Sequence, residues 1–187
     1  QRDLAATIAA EEKALRGIEE MGEVGAIAGI HGRLRNLLKI DKSFKKAVNA
    51  AAMGWLDSLI VKDTDTAFTC TETLRRMKLG RIKIIPLQGA INLKNKPAPT
   101  REGVLGPLSN FVKYDGGFEL AINYVFGDTL VASDDKTAFA LSNQGYRVVT
   151  VSGDLYEPGV FESGYYRAPI DFSTIIPSEN ALKSLDE

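Results

Sequence analysis

The sequence predicts an α/β domain built from two copies of one supersecondary unit. Short apolar runs alternate with amphipathic stretches along most of the chain, which is typical of alternating strands and helices. Residues 29–49 also recur as residues 103–123, with nine of 21 positions identical at an offset of 74. A repeat of this length implies two copies related by pseudo-symmetry. With 187 residues, the chain can bury a core without disulfides or metals.

The first copy is predicted to run strand, helix, strand, helix, strand. Its first helix has apolar residues at i, i+3, i+4 and i+7, which indicates one buried face. Asp41 is predicted to cap the first helix, and Asp63 or Thr64 the second, because a side-chain oxygen there can accept hydrogen bonds from free backbone N–H groups. Gly54 and Gly80 follow the helices and suit helix ends. The predicted elements are strand 37–40, helix 44–53, strand 59–61, helix 64–78 and strand 82–85, closed by Pro86.

The second copy repeats this order after a proline-containing linker. Each copy opens with two glycines three residues apart, Gly29 and Gly32 in the first and Gly103 and Gly106 in the second. These pairs lack the third glycine and the preceding strand of a dinucleotide-binding fingerprint, so they predict tight turns or close backbone approach. The predicted elements are strands 111–113, 130–132 and 147–151 and helices 118–125 and 134–144.

The two ends of the chain predict helices of another kind. Apolar residues from Leu4 to Ile18 follow spacings of 4, 3, 4 and 3, interrupted by Glu11, and Pro177 opens a second short amphipathic stretch. One interpretation is two helices packed on the domain. The other is an antiparallel coiled coil that enters and leaves at 1–23 and 175–187. Because the chain begins with Gln, we expect it to be a piece of a longer protein.

Charge is distributed unevenly along the chain, although the net charge is only −1. Residues 25–113 carry 16 basic and six acidic side chains, a net of +10, whereas residues 114–187 carry four basic and 12 acidic ones, a net of −8. The basic part suits a polyanion or an acidic protein surface. The alternative is that the basic and acidic parts neutralise each other within or between chains.

Several kinds of chemistry are missing from the sequence. One Cys and one His exclude a disulfide framework and His-rich or multi-Cys metal sites. No phosphate-binding loop or nucleophile motif is present. Cys70 is expected to pack as a small apolar residue, and His31 to be exposed or in contact with a partner. We therefore expect no catalytic residue, no metal and no cofactor in this chain.

Taken together, the repeated unit and the helical ends resemble the hinge domain of the structural maintenance of chromosomes (SMC) family, in its prokaryotic, archaeal form. The resemblance implies the SMC hinge fold, with two pseudo-symmetric α/β subdomains at 24–96 and 103–174, a linker at 97–102, and coiled-coil stubs at both ends. It covers about residues 22–168, and its motifs are specific in order and spacing. The stretches that carry it are 29–34, 47–51, 79–81, 126–131 and 147–154.

In that family the hinge is a dimerisation module, in which the first half of one chain faces the second half of the other, and the resemblance to prokaryotic members implies a homodimer. Glycine pairs lie at the contact, where the absence of a side chain lets two backbones approach. Here Gly159 and Gly164 match the first member of each pair, but Val160 and Tyr165 replace the second members. We expect the aromatic side chains of Phe161, Tyr165 and Tyr166 to anchor the interface instead. The alternative is that they belong to the core. The predicted interface residues are Gly159, Val160, Phe161, Gly164, Tyr165 and Tyr166.

The basic first half also predicts sequence-independent DNA binding through phosphate contacts. The candidate residues are Arg33, Arg35, Lys39, Lys42, Lys45 and Lys46. The leading hypothesis is thus a non-catalytic hinge that joins the arms of a cytoplasmic, chromosome-associated ATPase acting in condensation and segregation. Two alternatives stay open: a small ligand- or nucleotide-binding α/β enzyme with an internal duplication, and a nucleic-acid-binding module with no dimer role.

Overall fold

The computed structural model describes residues 2–88 and 97–166. Within these ranges it has five α-helices and ten short strands, joined in places by single turns of 3-10 helix. The helices are α1 Arg2–Glu23, α2 Lys45–Ala52, α3 Thr64–Arg76, α4 Glu119–Phe126 and α5 Asp135–Ser142. The strands are β1 Ile30–Arg33, β2 Leu38–Ile40, β3 Leu59–Val61, β4 Ile84–Pro86, β5 Val104–Pro107, β6 Val112–Tyr114, β7 Leu130–Ala132, β8 Val148–Thr150, β9 Leu155–Glu157 and β10 Val160–Glu162.

The repeat in the sequence is a repeat in the structure. Elements β1 to β4 and β5 to β8 follow the same order, with one helix before and one after the central strand of each copy. The helix caps also recur, because Asp63 accepts a hydrogen bond from the backbone N–H of Thr66 and Asp134 accepts one from Thr137, both at 2.8 Å. The predicted α/β class is confirmed, and most predicted element bounds agree within two residues.

The glycines that open each copy have a structural reason. Gly29 and Gly103 both have φ +88°, and a Cβ on either would lie 2.7 Å from Thr66 Oγ1 or 2.6 Å from Thr137 Oγ1. The predicted close approach is therefore found at both positions. Gly32 and Gly106 have φ +116° and +122° and lie inside β1 and β5, where the strand pairing is irregular. These two strands were missed by the sequence analysis, since the glycines suggested turns.

The described residues form two compact units. The first contains 2–33 and 58–88 and is built on the sheet β1-β3-β4, in which β1 and β3 are antiparallel and β3 and β4 parallel. Its core includes one face of α1, where Ala14, Leu15 and Ile18 pack with Leu59 and the buried Cys70. Thus the second half of α1 is part of a hydrophobic core, whereas its first turns are exposed. None of the helices described here is apolar over enough length to cross a bilayer.

The second unit contains 34–57 and 97–166. Its five-stranded sheet has the order β10-β9-β8-β7-β5, and only β7 and β8 run parallel. A separate two-stranded antiparallel ribbon pairs β2 with β6. The two compact units do not coincide with the two copies of the repeat, since residues 34–57 of the first copy belong to the second unit. The boundaries 24–96, 97–102 and 103–174 stay a prediction. The predicted returning helix 175–187 lies outside the described residues.

Candidate dimer edge and basic surface

The predicted interface segment forms an exposed β-hairpin at one edge of the five-stranded sheet. Strands β9 and β10 pair in antiparallel register with Val160 opposite Glu157, and Gly159 in the turn has φ +78°. All three residues of β10 are exposed, including Val160 at 61% and Phe161 at 62%. An edge strand with exposed apolar side chains is a surface that favours pairing with another chain.

Three aromatic rings form a cluster on this edge. Phe161 stacks on Tyr156 with ring centroids 5.4 Å apart, and Phe139 meets Phe161 edge-to-face at 6.2 Å. Tyr156 is buried, whereas Phe139 and Phe161 are exposed. Beyond β10, Tyr165 is 91% exposed. We call Phe139, Phe161 and Tyr165 the aromatic edge; rigid aromatic groups of this kind often anchor protein interfaces.

Asp154 holds the segment that follows β10 in place. Its carboxylate accepts hydrogen bonds from the hydroxyls of Thr150 and Ser163, both at 2.8 Å. Burial opposes the charged form, but these hydrogen bonds and one from the Gly164 backbone N–H outweigh it, so the pKa of Asp154 is lowered. Burial raises the pKa of the neighbouring Tyr156, and the Asp135 carboxylate raises it further. Asp154 therefore positions the predicted interface residues without belonging to them.

Tyr166 differs from the other predicted interface residues. Its ring packs on Gly153, where a Cβ would lie 2.6 Å from the ring. Gly153 also has φ +92°, so the position favours glycine for two reasons. The Tyr166 hydroxyl is buried and makes no hydrogen bond within the described residues, and burial raises its pKa. In this structure Tyr166 is thus an intrachain packing residue.

The structure does not support Arg33 as a DNA contact. The Arg33 side chain is buried and donates hydrogen bonds to the carboxylates of Glu12 at 3.0 and 3.1 Å and of Glu19 at 2.9 Å. Burial opposes the guanidinium charge, but the two glutamates outweigh it and raise the pKa of Arg33. A guanidinium buried between two carboxylates has no surface for a phosphate. Sequence reasoning missed this because both partners lie in the distant helix α1.

The other predicted basic residues are at least partly exposed. Arg35 makes a two-pronged ion pair with Asp57, at 3.0 and 3.1 Å, and both side chains are partly exposed. Lys39 lies directly opposite Lys113 in the β2–β6 ribbon, and both are exposed. Lys42, Lys45 and Lys46 are exposed around the start of α2. Lys113 was not among the predicted residues, although it is the repeat counterpart of Lys39.

The described residues thus form an α/β domain with a repeated unit, an N-terminal helix and an exposed edge strand. The described residues contain no cluster of three or more His, Cys, Asp or Glu side chains that could hold a metal ion. Comparison with known proteins identifies the family.

Residues 27–142 match the family described as "SMC proteins Flexible Hinge Domain", and the chain belongs to this family. The chromosome partition protein Smc of Aquifex aeolicus is 33% identical over 142 residues, which cover 74% of this chain and 12% of that protein. The Pyrococcus furiosus Smc hinge domain with an extended coiled coil matches with a TM-score of 0.72 and 29% identity, covering 99% of this chain and 66% of that one. The crystal structure of the P. furiosus SMC hinge domain matches with a TM-score of 0.68 and 30% identity, covering 88% and 92%.

The chain spans 12–14% of the length of the first curated relatives it matches. The family assignment confirms the resemblance seen in the sequence. It also favours the hinge hypothesis over an enzyme with an internal duplication.

Proposed function

We propose that this domain is a homodimerisation hinge that joins the coiled-coil arms of an SMC chromosome partition protein. The observation that carries the proposal is the exposed edge strand β10 with its aromatic edge. In the described residues, β10 ends the five-stranded sheet and β4 ends the three-stranded sheet. Pairing of β10 with β4 of a second chain would extend both sheets, and a two-fold axis would create this contact twice.

Charge supports the same pairing. Residues 25–113 have a net charge of +10 and residues 114–187 a net charge of −8. When the first half of one chain faces the second half of its partner, opposite charges meet in both contacts. Such complementarity speeds encounter and selects the orientation more than it raises affinity.

Light scattering over a concentration series tests the dimer. We expect a mass of about twice 20.3 kDa for the unchanged chain and a monomer for Phe161→Glu, because two buried carboxylates would be added to the dimer. Leu105→Glu is the matched control, since Leu105 is exposed on β5 at the opposite edge of the same sheet. A monomer at all concentrations, or equal loss of the dimer in both variants, would overturn the proposed interface.

A second proposed function is sequence-independent DNA binding through the exposed lysines. The observation in favour is the Lys39–Lys113 pair, since two like charges held side by side are stabilised by a phosphate between or beside them. Fluorescence anisotropy with a labelled duplex is expected to show an affinity that falls steeply as salt rises. An affinity that does not change between low and moderate salt would rule out phosphate-driven binding.

In the longer protein proposed here, this domain would lie far from the residues that hydrolyse ATP. The two arms would lead to ATPase heads outside this chain, and the hinge would hold the arms together during chromosome condensation and segregation in the cytoplasm. The hinge itself needs no cofactor or small-molecule substrate for that role.

A further inference from the structure

The second compact unit contains an open cleft of about 640 Å³ that the proposed hinge function does not use. It is lined by four aromatic residues, Trp55, Tyr124, Phe126 and Tyr146, together with Met53. Trp55 and Tyr124 meet edge-to-face with ring centroids 5.0 Å apart, and Tyr124 is 49% exposed. A cleft of this volume, with aromatic rings and a few polar groups in its walls, has room for one long side chain.

The electrostatics of the cleft favour a cation. The last turns of α2 and α4 both line it, and the carbonyl end of a helix carries partial negative charge. Asp128, at the cleft wall, is half-buried and makes no ion pair within the described part of the chain. Aromatic rings with a carboxylate beside them are the surroundings in which organic cations bind.

Arg147 also lines the cleft, and its charge already has partners. Its guanidinium donates hydrogen bonds to the Ala51 carbonyl at 2.8 Å and to the Thr129 hydroxyl at 3.0 Å. It also pairs with Glu157 at 3.0 Å, and this carboxylate compensates its charge. Arg147 is therefore occupied, and Asp128 remains as the uncompensated charge of the cleft.

The residues of the cleft differ between the two copies of the repeat. At the offset of 74, Tyr124 corresponds to Ala50, and the strand positions that align β8 with β4 place Tyr146 opposite Ile82. Residues that maintain the fold, such as Leu34 and Leu108, are identical in both copies and fully buried. Tyr124 and Tyr146 are therefore specific to the second copy and are not part of the repeated pattern.

We propose that this cleft binds the side chain of an arginine or lysine from a basic segment of a partner protein. The cleft would take one cationic side chain between the aromatic walls and Asp128, whose carboxylate supplies the opposite charge. The lining of the cleft contains no residue of β10 and none of the exposed lysines proposed to contact DNA. The test of this proposal does not depend on dimerisation or on DNA binding.

Trp55 makes the test direct, because it is the only tryptophan of the chain. The probe is a short peptide of alternating Gly and Arg, and the matched probe has citrulline, which keeps the shape of arginine without its charge. We expect the Arg peptide to change Trp55 fluorescence in a saturable way and the citrulline peptide to bind at least about tenfold more weakly. No saturable change up to millimolar peptide, or equal binding of the two peptides, would overturn the proposal.

Two variants separate the cleft from the general negative charge of the surface. Asp128→Asn is expected to weaken binding of the Arg peptide by about fivefold or more. Glu119→Gln removes a charge from the opposite end of α4 and is expected to leave binding within about twofold. Equal effects of the two variants would mean surface attraction only and would overturn the assignment to the cleft. Stronger quenching of Trp55 by oligothymidylate than by the Arg peptide would also overturn it, in favour of a nucleic-acid site.

Discussion

Arg33 of β1 donates two parallel hydrogen bonds to Glu12 of α1, at 3.0 and 3.1 Å. Both side chains are buried, and Glu19 accepts a further bond from the same guanidinium. The N-terminal helix is therefore held to the first compact unit by an ion-pair network as well as by Ala14, Leu15 and Ile18. If α1 continues into a coiled-coil arm, this network fixes the direction in which the arm leaves the domain.

Removal of Arg33 is expected to be strongly destabilising. Arg33→Met removes the cation that joins Glu12 and Glu19 and leaves Glu12 with only the partly exposed Arg16, at 3.1 Å. Breaking a buried pair on one side costs about 3–5 kcal/mol. Arg35→Met is the control, because its pair with Asp57 is partly exposed and is expected to contribute about 1 kcal/mol or less. Urea unfolding measures both. Equal losses in the two variants would contradict the structural role given to Arg33.

Two neighbouring glycines separate backbone strain from steric overlap. Gly25 and Gly29 have φ +76° and +88°, but a Cβ on Gly25 meets nothing within 4 Å, whereas one on Gly29 lies 2.7 Å from Thr66 Oγ1. Gly25→Ala is expected to cost about 1 kcal/mol from strain alone. Gly29→Ala adds overlap in a packed site and is expected to cost about 2–4 kcal/mol. Urea unfolding of both variants checks this order, and the reverse order would contradict it.

The lowered pKa of Asp154 predicts that the domain loses stability in acid. The pKa of this carboxyl is lowered in the folded state, which means that the folded protein stabilises the charged carboxylate relative to the unfolded chain. In the unfolded chain the pKa of an aspartate is about 3.9. The stabilisation is fully present above the unfolded pKa and is lost as pH falls through the folded pKa. Asp154→Asn is expected to lower stability at neutral pH and to reduce the decline between about pH 5 and pH 2. Urea midpoints over this range test it, with Asp3→Asn as an exposed control; an unchanged decline would refute the prediction.

Tyr165 and Tyr166 are adjacent but are expected to affect different properties. Tyr165 is exposed, so Tyr165→Ala should weaken the dimer in light scattering and leave the stability of the monomer unchanged. Tyr166 packs on Gly153, so Tyr166→Ala should lower monomer stability by about 1–3 kcal/mol, measured in the Phe161→Glu background. Tyr166→Phe should cost little, because the hydroxyl makes no hydrogen bond among the described residues. A large stability loss in Tyr165→Ala would contradict this division.

Local signals in the sequence predict most of the fold. Apolar runs locate β3 and β7 at the observed residues, and Asp63 and Asp134 mark the observed helix starts because a cap acts within four residues of itself. The hairpin β9–β10 was not predicted. Pro158 and Gly159 mark its turn, but its strands are only three residues long. Short strands carry too few residues for a period of two to be visible.

Contacts between distant segments could not be predicted from the sequence. The burial of Arg33 depends on Glu12, 21 residues earlier, and nothing in the basic pattern around Arg33 distinguishes it from the exposed Lys39. The end of α2 also differs from the prediction, because Met53 rather than Gly54 takes the first left-handed conformation, with φ +49°. The pairing of β2 with β6 could have been predicted, because Lys39 and Lys113 occupy identical positions of the repeat and pseudo-symmetry can place such positions opposite each other.

The Lys39–Lys113 pair yields a prediction in which stability and binding change in opposite directions. The two lysines are Cα partners in an antiparallel ribbon, and like charges on directly opposite residues destabilise the pair of strands. Lys113→Gln should therefore raise the unfolding free energy by about 0.2–1 kcal/mol. If both lysines contact phosphates, the same variant should weaken duplex binding and reduce the slope of log affinity against log salt by about 1. Lys62→Gln, an exposed lysine of the other compact unit, is the matched control. An unchanged slope in Lys113→Gln would show that DNA, if bound, is held elsewhere, while a loss of stability would show that the ribbon needs the charge of Lys113.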